Sequence, residues 1–176
     1  PAQLMDGGYI KLFGLTEEQA NLAAADLAFS FASSLYGWPV YVVTASEGKR
    51  YERDAIKDPI SMAEQLESQV RHMQMPARIQ IGVYSSPKHL QDARVKDLAL
   101  VGVPGGWEIY AGGGNGAFGH LICTLADMRP ATEMAAALLW WYREDAHYGE
   151  STGRWIERIG LIQLREGLFN FRNRSV

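Results

Sequence analysis

Gly114, Gly116 and Gly119 satisfy the spacing G-x-G-x-x-G directly after a strand-like run. A dinucleotide site needs such a loop to open a helix, whose first amides hold the pyrophosphate. Here the loop runs into His120, Leu121, Ile122 and Cys123, an apolar stretch that reads as strand. The glycines therefore point to a bend that lets backbones approach, or to a ligand loop of another kind. Ser86, Pro87 and Lys88 place a serine near a lysine, but three residues specify neither a base geometry nor an oxyanion pocket. Histidines stand at 72, 89, 120 and 147 without metal-ligand spacing. Cys123 is the sole cysteine. It excludes an internal disulfide, and one thiol cannot build a zinc or iron–sulfur site. Its apolar neighbours make it a small buried hydrophobe.

The elements that must position these residues can be read from period and punctuation. Residues 8–13 form a first strand. Thr16 opens a helix over 17–35, with Gln19 completing a capping box. Residues 38–44 are β-branched and aromatic, a second strand; the polar 45–57 is a loop. Asp58 before Pro59 starts a helix that runs to about 73. Residues 77–83 alternate as a strand, and 85–94 are a loop opening into a short helix. Residues 97–103 and 107–111 make a hairpin across Pro104, Gly105 and Gly106, and a strand follows near 120–125. Helices then cover 130–147, 151–159 and 161–169, the last two separated by Gly160. Leu138, Leu139, Trp140 and Trp141 suit a core or a dimer interface. Arg143, Glu144, Arg154, Glu157 and Arg158 read as ion pairs on solvated faces. Strands and helices mix without strict alternation, which argues α+β.

The bulk numbers bound the rest. The chain of 176 residues is 47% hydrophobic and 21% charged, with a net charge of −3. That size buries a real core, and the charge leaves no basic face for nucleic acid. The longest apolar run, 135–141, is far too short to span a bilayer. Residues 1–8 carry no signal-peptide pattern, so the expected setting is cytoplasmic and reducing.

Taken together, the motifs resemble the sirohaem nitrite and sulfite reductases. The run from Met75 to Ala93, followed by 95–103, is similar to that family's second cysteine motif. Gly105, Gly106, Trp107, Glu108 and Tyr110, then Gly112 to Gly116, resemble its W-E-x-Y-x-G-G-N-G. Residues 142–148 and 154–160 look like the closing helices of its core. The resemblance implies a ferredoxin-like half-domain over 1–44. It further implies a 4Fe-4S-domain-like mixed sheet covered by helices over 45–176.

The family holds a [4Fe–4S] cluster with four cysteines and bridges it to sirohaem. The corresponding positions here are Ser46, Glu52, Ser86 and Leu90. These are not soft thiolates, so cluster binding in the family's manner is not expected. The family's basic run before the strand falls on residues 76–80, where Arg78 alone keeps a charge; Arg53 matches a family arginine.

Three readings follow from the resemblance. The chain binds a sirohaem-like tetrapyrrole without a cluster, through Arg53, Arg78, Lys88 and the loop Gly112, Gly113, Gly114, Asn115 and Gly116, with His89 as an axial nitrogen. Alternatively, its pocket has collapsed and it serves as a non-catalytic interaction subunit. On the third reading it is a component of a genuine nitrite or sulfite reductase, an oxidoreductase. A single repeat is further expected to pair as a homodimer. No catalytic residue is assigned, and neither nucleic acid nor membrane is an expected partner.

Overall fold

The computed structural model describes residues 2–5, 9–12, 14, 16, 19, 38–39, 43–48, 52–114 and 116–172. Its strands are β1 (Ala2–Met5), β2 (Tyr9–Leu12), β3 (Trp38–Pro39), β4 (Val43–Ala45), β5 (Gln74–Met75), β6 (Ile81–Tyr84), β7 (Leu98–Val103), β8 (Gly106–Ala111) and β9 (His120–Leu125). Its helices are α1 (Pro59–Val70), α2 (Leu90–Arg94), α3 (Met128–Asp145), α4 (Thr152–Ile159) and α5 (Leu161–Arg172). The protein is α+β, as expected. Five strands form the main sheet in the order β4-β6-β7-β8-β9. β4, β6 and β7 run parallel, and β8 and β9 return antiparallel.

β7 is apolar at every position from Leu98 to Val101, so both of its faces need cover. Leu98 and Leu100 join the main core, with Met62, Leu66 and Val70 of α1 and Met134 and Leu138 of α3. Ala99 and Val101 point the other way, to Ala93 of α2 and Tyr110 of β8. This is the two-residue period of a strand working between two layers.

Local signals set the helix starts. Asp58 caps α1, its Oδ1 accepting from the amides of Ile60 at 3.1 Å and Ser61 at 3.3 Å, with Pro59 at the first helical position. The Thr16–Gln19 capping box forms in both directions, at 3.1 and 3.3 Å. The rest of the expected 17–35 helix lies outside the described residues, as does Asn115.

Several expectations need correction. Residues 38–44 are not one strand of one sheet: Trp38–Pro39 pairs with β5, whereas Val43–Ala45 pairs with β6. The strand read over 77–83 begins only at Ile81, because the Gln80 amide is taken by the Asp97 side chain at 2.9 Å. Of the residues expected in ion pairs on solvated faces, Arg158 forms them with partners outside that set. It pairs with Asp145 at 3.0 Å and Glu150 at 2.9 Å, and Arg143 lies over the Trp140 ring. Leu138 and Leu139 are core residues, whereas Trp140 is exposed. No helix among the described residues is long and apolar enough to cross a membrane.

Candidate functional site

Because β4 and β6 are parallel, their C-terminal ends share one edge of the sheet, and the loops leaving them meet there. The Ser46 amide extends the ladder to Val83 O at 2.9 Å. Ser46 Oγ then accepts from the Ser85 amide at 2.9 Å. Ser85 O accepts from the amides of Ile56 and Lys57 at 3.0 and 3.1 Å, and Ser85 Oγ donates to the Glu52 carboxylate. The other carboxylate oxygen of Glu52 lies 3.3 Å from His89 Nε2. The His89 ring stacks on Tyr84 with centroids 5.7 Å apart, and its Nδ1 is 4.0 Å from Asp92.

Burial pushes the Glu52 carboxyl up, but donation from the Ser85 hydroxyl and the His89 imidazole close by outweigh it and leave the group below its ordinary value. This arrangement does not activate a serine. Ser85 is fully buried, and its hydroxyl faces a carboxylate rather than an imidazole. Lys88 pairs with Asp54 at 3.8 Å on the surface, a contact worth about 0–1 kcal/mol. It supplies no base to Ser86, whose buried Oγ has no hydrogen-bond partner among the described residues.

The structure thus brings together three of the four expected cluster positions, Ser46, Glu52 and the Ser86 segment, with Leu90 one residue beyond the His89 turn. The donors there are hydroxyl, carboxylate and imidazole. Among the described residues no group of three or more His, Cys, Asp or Glu is placed to hold a metal ion. Cys123 sits on β9, three strands away from β6, with its thiol pushed up to about 11 by burial. A [4Fe–4S] cluster needs several thiolates, and these residues do not fit it. The ring nitrogens of His89 lie 3.3 Å from Glu52 and 4.0 Å from Asp92, and its buried Nε2 makes no hydrogen bond among the described residues.

A second locus lies at the other end of β6. Two adjoining cavities of about 450 and 430 Å³ share Gly114, Gly149 and Ser151, with Arg154 on one flank and Arg78 on the other. Asp97 lines the cavity on the Arg78 side, its carboxylate accepting from Thr152 Oγ1 and the Gln80 amide, both at 2.9 Å. Burial raises the Asp97 carboxyl. Gly112 and Gly114 hold positive φ, 87° and 95°, which turns the chain away from β8. The Gly113 α-carbon packs so close to the Arg94 carbonyl that a β-carbon would lie 2.3 Å from its oxygen. The expected tetrapyrrole contacts are therefore divided. Arg53, Lys88 and His89 lie at the C-terminal end of β6. Arg78, Gly112, Gly113, Gly114 and Gly116 lie at its N-terminal end. Sequence reasoning missed Ser85, Asp97 and Thr152, because each acts through a partner far away in the chain.

The fold is one found in a reductase: it matches dissimilatory sulfite reductase I with a TM-score of 0.67 at 13% identity, over 89% of this chain and 57% of that one. It also matches the NirA protein of Mycobacterium tuberculosis with a TM-score of 0.68 at 19% identity, over 78% of this chain and 28% of that one. In sequence, residues 37–172 match the nitrite and sulphite reductase 4Fe-4S domain, and the chain belongs to that family. The NAD(P)H nitrite reductase of Bacillus subtilis is 31% identical over 172 residues, 96% of this chain and 21% of that protein. The assimilatory nitrate reductase electron transfer subunit of the same organism is 33% identical over 111 residues, 61% of this chain and 14% of that protein. The chain thus spans 21% and 14% of the length of these two relatives.

Proposed function

We propose that this nitrite and sulfite reductase-family domain binds an anionic tetrapyrrole of the sirohaem kind without holding an iron–sulfur cluster of its own. The carrying observation is the paired cavity, where Arg78 and Arg154 flank Gly114, Gly149 and Ser151. Guanidinium groups take ring carboxylates in charge-assisted pairs, and glycines let a flat ligand approach the backbone. The pigment, when bound, supplies the redox-active iron; Arg78 and Arg154 hold and orient it. Arg53, Lys88 and His89, at the other end of the strand, are left out of this site.

Titrating the purified chain with sirohaem tests the reading. A Soret-region band that saturates at one pigment per chain is expected, weakened at least tenfold by Arg154→Ala and unchanged by His89→Ala. A visible spectrum equal to that of free pigment at every ratio overturns it. Support for the cluster-free part comes from the donor set, since oxygen donors replace thiolates at Ser46, Glu52 and Ser86. After anaerobic reconstitution, about four iron and four sulfide per chain would refute it. The domain is further proposed to pair as a homodimer through exposed apolar residues such as Trp140 and Ile162; a monomer mass in light scattering at micromolar concentration would contradict that.

A further inference from the structure

Among the described residues of 46–57, Ser46, Glu52, Ile56 and Lys57 all hydrogen-bond to Ser85, and the Ser46 amide also bonds to Val83 O. Ser85 uses its amide for Ser46, its carbonyl for Ile56 and Lys57, and its hydroxyl for Glu52. Both ends of the loop are thereby tied to one point. Between those ends, the side chains that reach across among the described residues are Glu52, toward Ser85 and His89, and Asp54, toward Lys88. The Asp54–Lys88 pair is about 70% exposed on each side, and solvent screens it. The Glu52 contact is sheltered, with 18% of its side chain and 24% of that of His89 exposed. His89 is held in turn by stacking on Tyr84, whose ring fills the space over Gly82: a β-carbon there would lie 2.6 Å from it.

We infer that Glu52 is the positioning residue of this end of the molecule: a strap through Ser46, Ser85, Glu52 and His89 clamps residues 46–48 and 52–57 against the 85–89 turn. The inference rests on the cluster-free reading above, but it concerns the mechanical role of these side chains and is independent of pigment binding. A carboxylate suits the position because one oxygen accepts from the Ser85 hydroxyl while the other lies 3.3 Å from the His89 imidazole. A glutamine retains one acceptor for the Ser85 hydroxyl and loses the charge that attracts the imidazole. An alanine loses both.

Hydrogen exchange of the full chain, read amide by amide, tests this. The reporters are Ile56 and Lys57, which donate to Ser85 O, and the reference is Leu138 in the core of α3. Glu52→Ala is expected to speed exchange at Ile56 and Lys57 at least tenfold with Leu138 unchanged. Glu52→Gln should fall between that variant and the unaltered chain. Equal protection at Ile56 and Lys57 in all three proteins overturns the strap. A parallel sample given ferrous iron and sulfide under anaerobic conditions separates the two ideas. Added protection at Ile56 together with bound iron would defeat the cluster-free reading itself, whereas unchanged protection with no bound iron supports both.

Discussion

Gly102 of β7 lies against the carbonyl of Ser85 so closely that a β-carbon there would stand 2.7 Å from that oxygen and 2.8 Å from Cβ and Cγ of Lys57. The oxygen cannot move away freely, because it already accepts from the amides of Ile56 and Lys57. Gly102→Ala is therefore expected to cost about 1–3 kcal/mol, the usual range for forcing a methyl into a filled site. Gly105→Ala provides the control: its turn has nothing within 4 Å, and the change should stay within about 0.5 kcal/mol. Urea unfolding of both variants decides the matter, and equal midpoints would mean that the contact at Ser85 is slack.

Adjacent serines have opposite expected effects. Ser85 donates to a carboxylate, and Ser86 Oγ is buried with no partner among the described residues. Ser85→Ala should destabilise by about 1.5–3 kcal/mol, the range for hydrogen bonds to charged groups. Ser86→Ala removes an unsatisfied hydroxyl and should be neutral or stabilising by up to about 1 kcal/mol. Should Ser86→Ala prove the more harmful, the assignment of the strap to Ser85 fails.

This contrast marks the limit of what the sequence disclosed. Elements announced by neighbours were legible: the Asp58–Pro59 helix start, the Thr16–Gln19 box and the hairpin of β7 and β8. The strap was not, because its ties join residues 33 and 39 positions apart. No period or local motif links Ser46 and Glu52 to Ser85. The resemblance named Ser46, Glu52, Ser86 and Leu90, but only as the expected positions of the family's cluster cysteines. That oxygen and nitrogen groups interlock there is a three-dimensional fact. The division of the expected ligand residues between two ends of β6 was hidden for a similar reason. Arg78 and Lys88 are near in sequence, and the intervening strand of four residues carries them apart by roughly 13 Å.

Acid stability should carry the signature of Glu150. Arg158 donates to it from two nitrogens, at 2.9 and 3.0 Å, and the His147 amide adds a third donor at 2.8 Å. Donation from Arg158, reinforced by that amide, holds its carboxyl at about 2, below the ordinary 4.5. A carboxyl depressed by folding contributes stability that is complete above its unfolded value and lost as pH falls through the folded one. The contribution should thus fade between about pH 4.5 and about pH 2. Glu52 acts in the same direction, whereas Asp97, raised by burial, acts in the opposite one. Glu150→Gln should lower the melting temperature at pH 7 and flatten the acid limb of its pH profile. An unchanged slope below pH 4.5 would contradict the role given to Arg158.

Asp97 joins the starts of three elements, and a double-mutant cycle can weigh that junction. Its two oxygens accept separately from the Gln80 amide before β6 and from the Thr152 hydroxyl of α4. Thr152→Val removes one donor from a buried carboxylate and should cost about 1–3 kcal/mol. Asp97→Asn is milder in principle: its carbonyl can still serve the Gln80 amide, and its NH₂ can donate to Thr152 once that hydroxyl turns to accept. Combined with Thr152→Val, however, the NH₂ would lose its acceptor. The two changes should therefore depart from additivity by at least about 0.5 kcal/mol, as groups in direct contact do. Additivity within about 0.3 kcal/mol, measured by urea unfolding at pH 7, would show that the Thr152 hydroxyl and the Asp97 carboxylate do not share a bond.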